Sequence, residues 1–218
     1  MSQSASAPKN RRERRRESLK EAAIEVFSER GYHAAKVSDI VERVGVAQGT
    51  FYLYYESKQQ LFGELLNDFL TLLVQAVSDW EPGSIETRES LRDQLMRVGM
   101  LVTQVIAGNR GLAIIFFKEA LAVAPEFDEI IHDFYDTLGA MMTTFNEILY
   151  QRGLIAKMNF RLLAYMTIGG VERIVVEHVV NNTLEDVPIE ELVEHLILHF
   201  MTGTVEPARG LSAEAIAP

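Results

Sequence analysis

The sequence predicts an all-α protein of about nine helices. Apolar residues recur at three- and four-residue spacing over most of the chain, and no segment shows the strict alternation of a half-buried strand. Glycine, proline and asparagine interrupt the pattern at intervals of helical length. The 218 residues are enough for one large domain or for a small domain joined to a larger one. At 48% apolar and 24% charged residues, the composition is that of a folded chain.

The elements follow in order. Leu19, Ala23, Val26 and Phe27 share a helical stripe that ends at Gly31, the residue type that commonly closes a helix, giving a first helix over roughly 12–30. "VSDIVERVG" supplies about two turns with Val37, Ile40, Val41 and Val44 on one side, stopped by Gly45. After the turn "GVAQ", a third helix is expected over 48–55. Ser57 with Gln60 three residues later matches a capping box, so a fourth helix starts near Ser57. Its stripe of Leu61, Leu65, Phe69, Leu72, Ala76 and Trp80 continues until Pro82 and Gly83 break it. Further helices are expected near 86–107, 111–123, 126–152, 160–181 and 189–202, followed by a loose tail, "EPARGLSAEAIAP". The organisation expected is a flexible basic arm (1–11), a small three-helix domain (12–60), a larger helical domain (61–206) and a tail (207–218).

Charge divides the chain in the same place. Residues 1–67 hold 11 Lys and Arg against 9 Asp and Glu, whereas residues 68–218 hold 10 against 22, within a net charge of -10. Residues 9–20 alone carry seven basic side chains and two glutamates, so a phosphate backbone would meet the front of the chain while the back is repelled. The absence of cysteine excludes disulfides, zinc-thiolate sites and thiol nucleophiles, and fits a cytoplasmic home. The basic N-terminus lacks the apolar core of a signal peptide, and the longest uncharged run, 98–109, falls short of the ~20 residues that span a bilayer, so no membrane partner is expected.

Two short helices joined by "GVAQ" have the layout of a helix-turn-helix, in which the second helix enters the major groove. The block "ERGYHAAKVSDIVERVGVAQGTFYLYYESKQQLF", residues 29–62, resembles the DNA-binding domain of the TetR family of transcriptional regulators, most closely in "GVAQGTFYLYYESK". The resemblance implies a homodimer on double-stranded operator DNA, a C-terminal helical domain enclosing a small-molecule cavity, and a four-helix bundle made by the last two long helices of each copy. Ala35 and Lys36 stand where many relatives carry paired hydroxyls, leaving Ser38 or Lys36 itself to take that place.

Helical geometry sorts the aromatic cluster. Phe51 and Tyr55 share one stripe, Thr50 and Tyr54 a second, and Gln48 and Tyr52 a third. Phe51 is the least polar ring, so its stripe is expected to pack on the first two helices. Tyr52 and Tyr54 are then left to hold phosphates or sugar edges, a role that the resemblance also assigns to them. Gln48 and Thr50 can reach base edges, Gly49 permits close backbone approach, and Lys58 adds a cation where a phosphate would favour it. Lys36 and Ser38 complete the expected DNA-contact set. The basic run "RRERRR" reads either as an arm on DNA or as a solvated charge run.

In the back domain, Met96, Met100, Met141, Met142 and Met166 accompany Phe116, Phe117, Phe134, Phe145 and Tyr165, a mixture that suits either an adaptable apolar pocket or plain core. Gly169 and Gly170 interrupt a helix at roughly 1 kcal/mol each, a cost that close approach of a second subunit would offset. Leu192, Leu196 and Phe200 are expected to be shared between subunits. No phosphate loop or nucleophile elbow is present, so neither enzymatic activity nor a cofactor is expected. Glu191, His195 and His199 align along one helix, but interface histidines explain them better than a metal does. The function expected is a ligand-responsive repressor released from a pseudo-palindromic operator by an apolar or amphipathic effector. The alternative is an activator or a ligand-independent DNA-binding protein of the same fold.

Overall fold

A computed structural model describes residues 6–78, 80, 82–120 and 125–204, and its regular elements are helical throughout. They are α1 (Ser6–Arg30), α2 (Val37–Val44), α3 (Gln48–Phe51), α4 (Lys58–Ser78), α5 (Arg88–Gly108), α6 (Arg110–Ile115), α7 (Asp128–Gln151), α8 (Phe160–Val175) and α9 (Ile189–Thr204). Wider π-type turns extend α6 over Phe116–Ala120 and α8 over Val176–Val180. Helix α1 begins inside the segment expected to be a loose arm, so the basic run 11–16 is helical. Helix α3 is shorter than expected, because residues 52–54 form a turn. The expected tail and residues 1–5 lie outside the described residues.

The chain forms two compact units. The first comprises residues 1–71 together with 109–131, and the second comprises 72–108 together with 132–218. The expected domain boundary lay at residue 60, inside the first of these units. The first turns of α4 belong with the helix-turn-helix, and so does a distant segment containing α6. Helix periodicity reveals which face of α6 is apolar but not which partner that face will find.

In the first unit, Leu19, Ala23, Val26 and Phe27 of α1 are fully buried, as are Ile40, Phe51, Leu61, Phe62 and Phe69. Gly31 and Gly45 take the left-handed conformation that ends α1 and α2 as expected. The N–H of Gly45 bonds the Glu42 carbonyl and that of Val46 the Val41 carbonyl, closing α2 tightly enough for α3 to follow at once. The start of α2 is capped by Asp39, whose carboxylate accepts the Lys36 backbone N–H at 2.9 Å. This answers the missing hydroxyls, since an acid inside the helix does the capping. Arg43 ties α2 back to α1 through Glu25 and Glu29 at 2.7–2.9 Å. The α4 capping box forms as expected on its first side, with the Gln60 N–H on Ser57 Oγ at 3.1 Å. Its second side reaches one residue further, to the Glu56 N–H.

Helix α6 lies against α1 at Gly111, where an added Cβ would stand 2.6 Å from Ile24 Cγ2; the Ser28 hydroxyl sits near the Gly111 carbonyl. Only a missing side chain lets the two backbones come this close. Phe127 packs on both Tyr32 and Phe62, with ring centroids 5.4 and 4.6 Å apart. Between α4 and α6, the side chains of Phe62, Leu65, Leu66, Phe69, Leu112 and Ile115 surround a cavity of about 10 Å³, room for one water at most.

In the second unit, Ile85, Leu91, Phe145, Leu149, Leu154 and Ile155 form a core flanked by Trp80, Phe200 and Met201. The Trp80 and Phe145 rings meet edge to face at 3.9 Å. Gly99 of α5 admits Val193 of α9, and Asn159 caps α8 by accepting the Leu162 N–H at 3.0 Å. Helix α4 is long and apolar enough on average to cross a bilayer, although no uninterrupted apolar run shows it. Buried Leu61, Leu65, Phe69 and Leu73 mark it as a core helix.

Two outcomes follow. Phe51 is wholly buried, so Phe51→Ala lowers the unfolding free energy by roughly 3–5 kcal/mol in a denaturant titration. Burial pushes the Tyr32 and Tyr55 hydroxyls up to about 12, with the Glu126 carboxylate adding to the effect at Tyr32 and Glu64 at Tyr55. Their folded values exceed the unfolded value near 10, so the stability they contribute is complete below pH ~10 and is lost between there and pH ~12. Tyrosinate absorbance during an alkaline titration should therefore lag for these two rings until the protein unfolds.

Candidate nucleic-acid interface

The loop from Gly31 to Lys36 sets where α2 and α3 stand. It is held by Lys58, whose ammonium donates to the carbonyls of Tyr32 (2.5 Å), Ala35 (2.8 Å) and, more weakly, His33 (3.4 Å). The same ammonium sits 4.4 Å from the centre of the Tyr32 ring. Desolvation lowers its pKa, and the Glu126 carboxylate partly restores it. The lysine expected to favour a phosphate partner thus directs its donors at the protein's own backbone. The sequence offers no sign of this, because the carbonyls lie more than twenty residues upstream.

Helix α3 is divided as the stripes imply. Phe51 and Tyr55 are at most 2% exposed and their ring centroids are 5.7 Å apart. On the other side, Tyr52 is 53% exposed, Gln48 and Gly49 are exposed, and Thr50 and Tyr54 are half-buried. No atom lies within 4 Å of a Cβ added at Gly49, so open space rather than local crowding surrounds it. Leu53, 71% exposed, extends this face and was missed because a leucine beside aromatics reads as core. Lys36 and Ser38 are exposed at the start of α2.

The basic start of α1 reaches this face. The Arg12 guanidinium lies over the Tyr54 ring, 5.9 Å from its centre, and Arg16 lies over Tyr55 at 5.6 Å while pairing with Glu64. The resulting surface carries amide, hydroxyl and guanidinium donors beside a glycine. This is the equipment for touching phosphates and base edges.

The residues expected to line an effector cavity are divided between the two units. Phe116 and Phe117 fall in the first unit, where the Phe116 ring is 6.1 Å from Phe69. Met96, Met100, Met141 and Met142 are half-buried in the second unit, Phe134 and Phe145 are buried there, and Phe145 belongs to the core. Tyr165 and Met166 face outward, 39% and 64% exposed. Tyr135 donates to a Glu172 oxygen at 2.7 Å, a polar pair that apolar pattern reading passed over.

Of the residues expected at a subunit interface, Gly169 and Gly170 are exposed, while Leu192, Leu196 and Phe200 are half-buried. Phe200 turns toward its own core. Exposed apolar side chains on the same two helices include Leu162 (58%), Met166 and Leu198 (57%). Among the described residues, no group of three or more His, Cys, Asp or Glu side chains is placed to hold a metal. His195 Nδ1 is occupied by the Glu191 backbone carbonyl at 2.8 Å.

The profile of the bacterial regulatory proteins, tetR family, matches residues 19–65. The fatty acid metabolism regulator protein of Bacillus subtilis is 26% identical over 170 residues, which is 76% of this chain and 84% of that protein. The transcriptional repressor KstR2 of Mycolicibacterium smegmatis is 31% identical over 120 residues, and there the chain spans about half the relative, 55%. The crystal structure of the B. subtilis transcriptional regulator FadR in complex with stearoyl-CoA superposes with a TM-score of 0.71 at 24% identity, covering 85% of this chain and 97% of that one; at that identity it establishes the fold. A matched helix-turn-helix profile, a shared whole-chain fold and an outward-facing third helix agree: the chain belongs to the TetR family of helix-turn-helix transcriptional regulators.

Proposed function

We propose that this regulator is a repressor that binds a pseudo-palindromic operator as a homodimer and leaves it when a small apolar or amphipathic effector binds. The observation that carries the DNA-binding part is the division of α3. Its two anchoring rings are buried, while Gln48, Gly49 and Tyr52 stand outside them. Two copies would place their third helices in successive major grooves, about 34–36 Å apart.

The homodimer reading is supported by the apolar faces of α8 and α9. Leu162, Met166, Gly169 and Gly170 fall on one side of α8, and each added Cβ at the two glycines would meet open space. Exposed apolar residues in such a row mark an association surface, and glycine lets a second backbone approach. The effector reading is supported by the methionines of the second unit, seven of the chain's eight, and by the relative concerned with fatty acid metabolism. An acyl thioester is therefore the effector class proposed. Helix α4 runs from the first unit into the second, so an effector that prefers a different tilt of α4 would shift the DNA-bound population, with a coupling of about 1–3 kcal/mol.

Two measurements check this. Tyr54→Phe should weaken operator binding about tenfold in an anisotropy titration, through loss of one hydroxyl–phosphate bond in each half-site, while the thermal midpoint stays within a degree or two. Stearoyl-CoA should release the operator, and operator should weaken stearoyl-CoA binding by the same factor. Independent affinities would end the acyl-effector reading, and native mass spectrometry of retained ligand would then identify another class.

A further inference from the structure

Along one edge of α1, Arg12, Arg16 and Lys20 are spaced a turn apart and form a ladder facing neighbouring elements of the same unit. The two inner rungs are neutralised by α4. Arg16 pairs with Glu64, and Lys20 pairs with Glu64 at 2.6 Å and Asp68 at 2.7 Å. The outer rung differs. Arg12 is exposed and, among the described residues, has no carboxylate partner; its guanidinium lies over the ring of Tyr54, a side chain of the DNA face.

That geometry suits a particular use. Stacking engages the flat face of a guanidinium and leaves its five N–H donors in the plane, pointing outward. The ring also limits the rotamers of a long side chain, so less entropy is lost when those donors close on a phosphate. We propose that Arg12, held on the Tyr54 ring, is a phosphate contact made from α1, outside the helix-turn-helix, and that the carboxylates of α4 keep Arg16 and Lys20 as structural rungs. The inference rests on the DNA-binding reading above.

The full-length protein is first used to select its preferred duplex from a random-sequence DNA library. Affinity for that duplex is then measured from 50 to 250 mM KCl for the wild type, Arg12→Ala, Tyr54→Ala, the double variant and Arg92→Ala. Arg92 pairs with Glu194 in the second unit and serves as a charge-matched control. Arg12→Ala should bind about tenfold more weakly at the lowest salt. Its log K against log salt slope should be shallower by about 1.8, about 0.9 for the one phosphate that each copy of the homodimer contacts, while Arg92→Ala keeps the wild-type slope. The double variant should lose less than the sum of the two single losses, because removing the ring already misplaces the guanidinium.

A weaker Arg12→Ala with an unchanged slope would show that the residue only shapes the surface, and wild-type affinity would remove it from the interface. Either result overturns the inference while leaving DNA binding by the third helix intact. A wild-type protein that enriches no duplex and binds none overturns both readings together.

Discussion

The placement of the DNA-facing helices depends on the Lys58 ammonium and the loop it grips. Helix α1 ends at Gly31, and the carbonyls of Tyr32, His33 and Ala35 that follow would otherwise face solvent or go unpaired. A cation from the first turn of α4 collects all three. That position opposes the dipole of α4 itself, so the lysine is tolerable there because the carbonyls, and the face of the Tyr32 ring, supply the negative partner. The end of α1, the start of α2 and the start of α4 meet at this one charge. Asp39 completes the junction by capping α2 and pairing with Arg30 at 3.0 Å.

Tyr32 carries the junction inward. Its ring packs against Phe27, Phe62 and Phe127, with centroids 4.4–5.8 Å apart, and its hydroxyl bonds the Glu126 carboxylate. Glu126 and Phe127 belong to the segment 109–131 that packs with the DNA-binding helices although it is remote in sequence. The orientation of the helix-turn-helix is therefore held from two directions, by α4 through Lys58 and by the 126–127 turn through Tyr32. Any displacement of that turn alters the environment of the lysine as well, since Glu126 partly offsets the desolvation of the ammonium. A shift there reaches the recognition surface without passing through α4 alone.

Much of this was legible in the sequence, and the reasons differ by residue. Gly31, Gly45, Ser57 and the Phe51 and Tyr55 stripe were readable because each expresses a rule local to a turn or two of helix. The carbonyl partners of Lys58 were not legible because they lie across the fold, and a lysine looks the same whether it awaits a phosphate or holds a carbonyl. That the segment 109–131 packs with the DNA-binding helices was not legible for a similar reason. The notch at Gly111 that admits Ile24 is a shape, and shape complementarity between distant helices leaves no periodic trace. Methionine is an ambiguous signal, since the same flexible side chain packs against a core, as Met201 does, or is exposed, as Met166 is.

Charge distribution gives these placements their direction. Five carboxylates of the first unit are committed internally: Glu64 and Asp68 to the α1 ladder, Glu25 and Glu29 to Arg43, Asp39 to Arg30 and the α2 cap. Exposed pairs of this kind add little stability each, typically under ~1 kcal/mol. Their larger effect is on the field. By holding acidic groups to α1, α2 and the flank of α4, they leave Arg12, beside Tyr54, and Lys36, at the start of α2, exposed and without a carboxylate ion pair among the described residues, on the same unit as the exposed α3 surface. A chain of net charge -10 can then approach a polyanion only in the orientation that presents that surface.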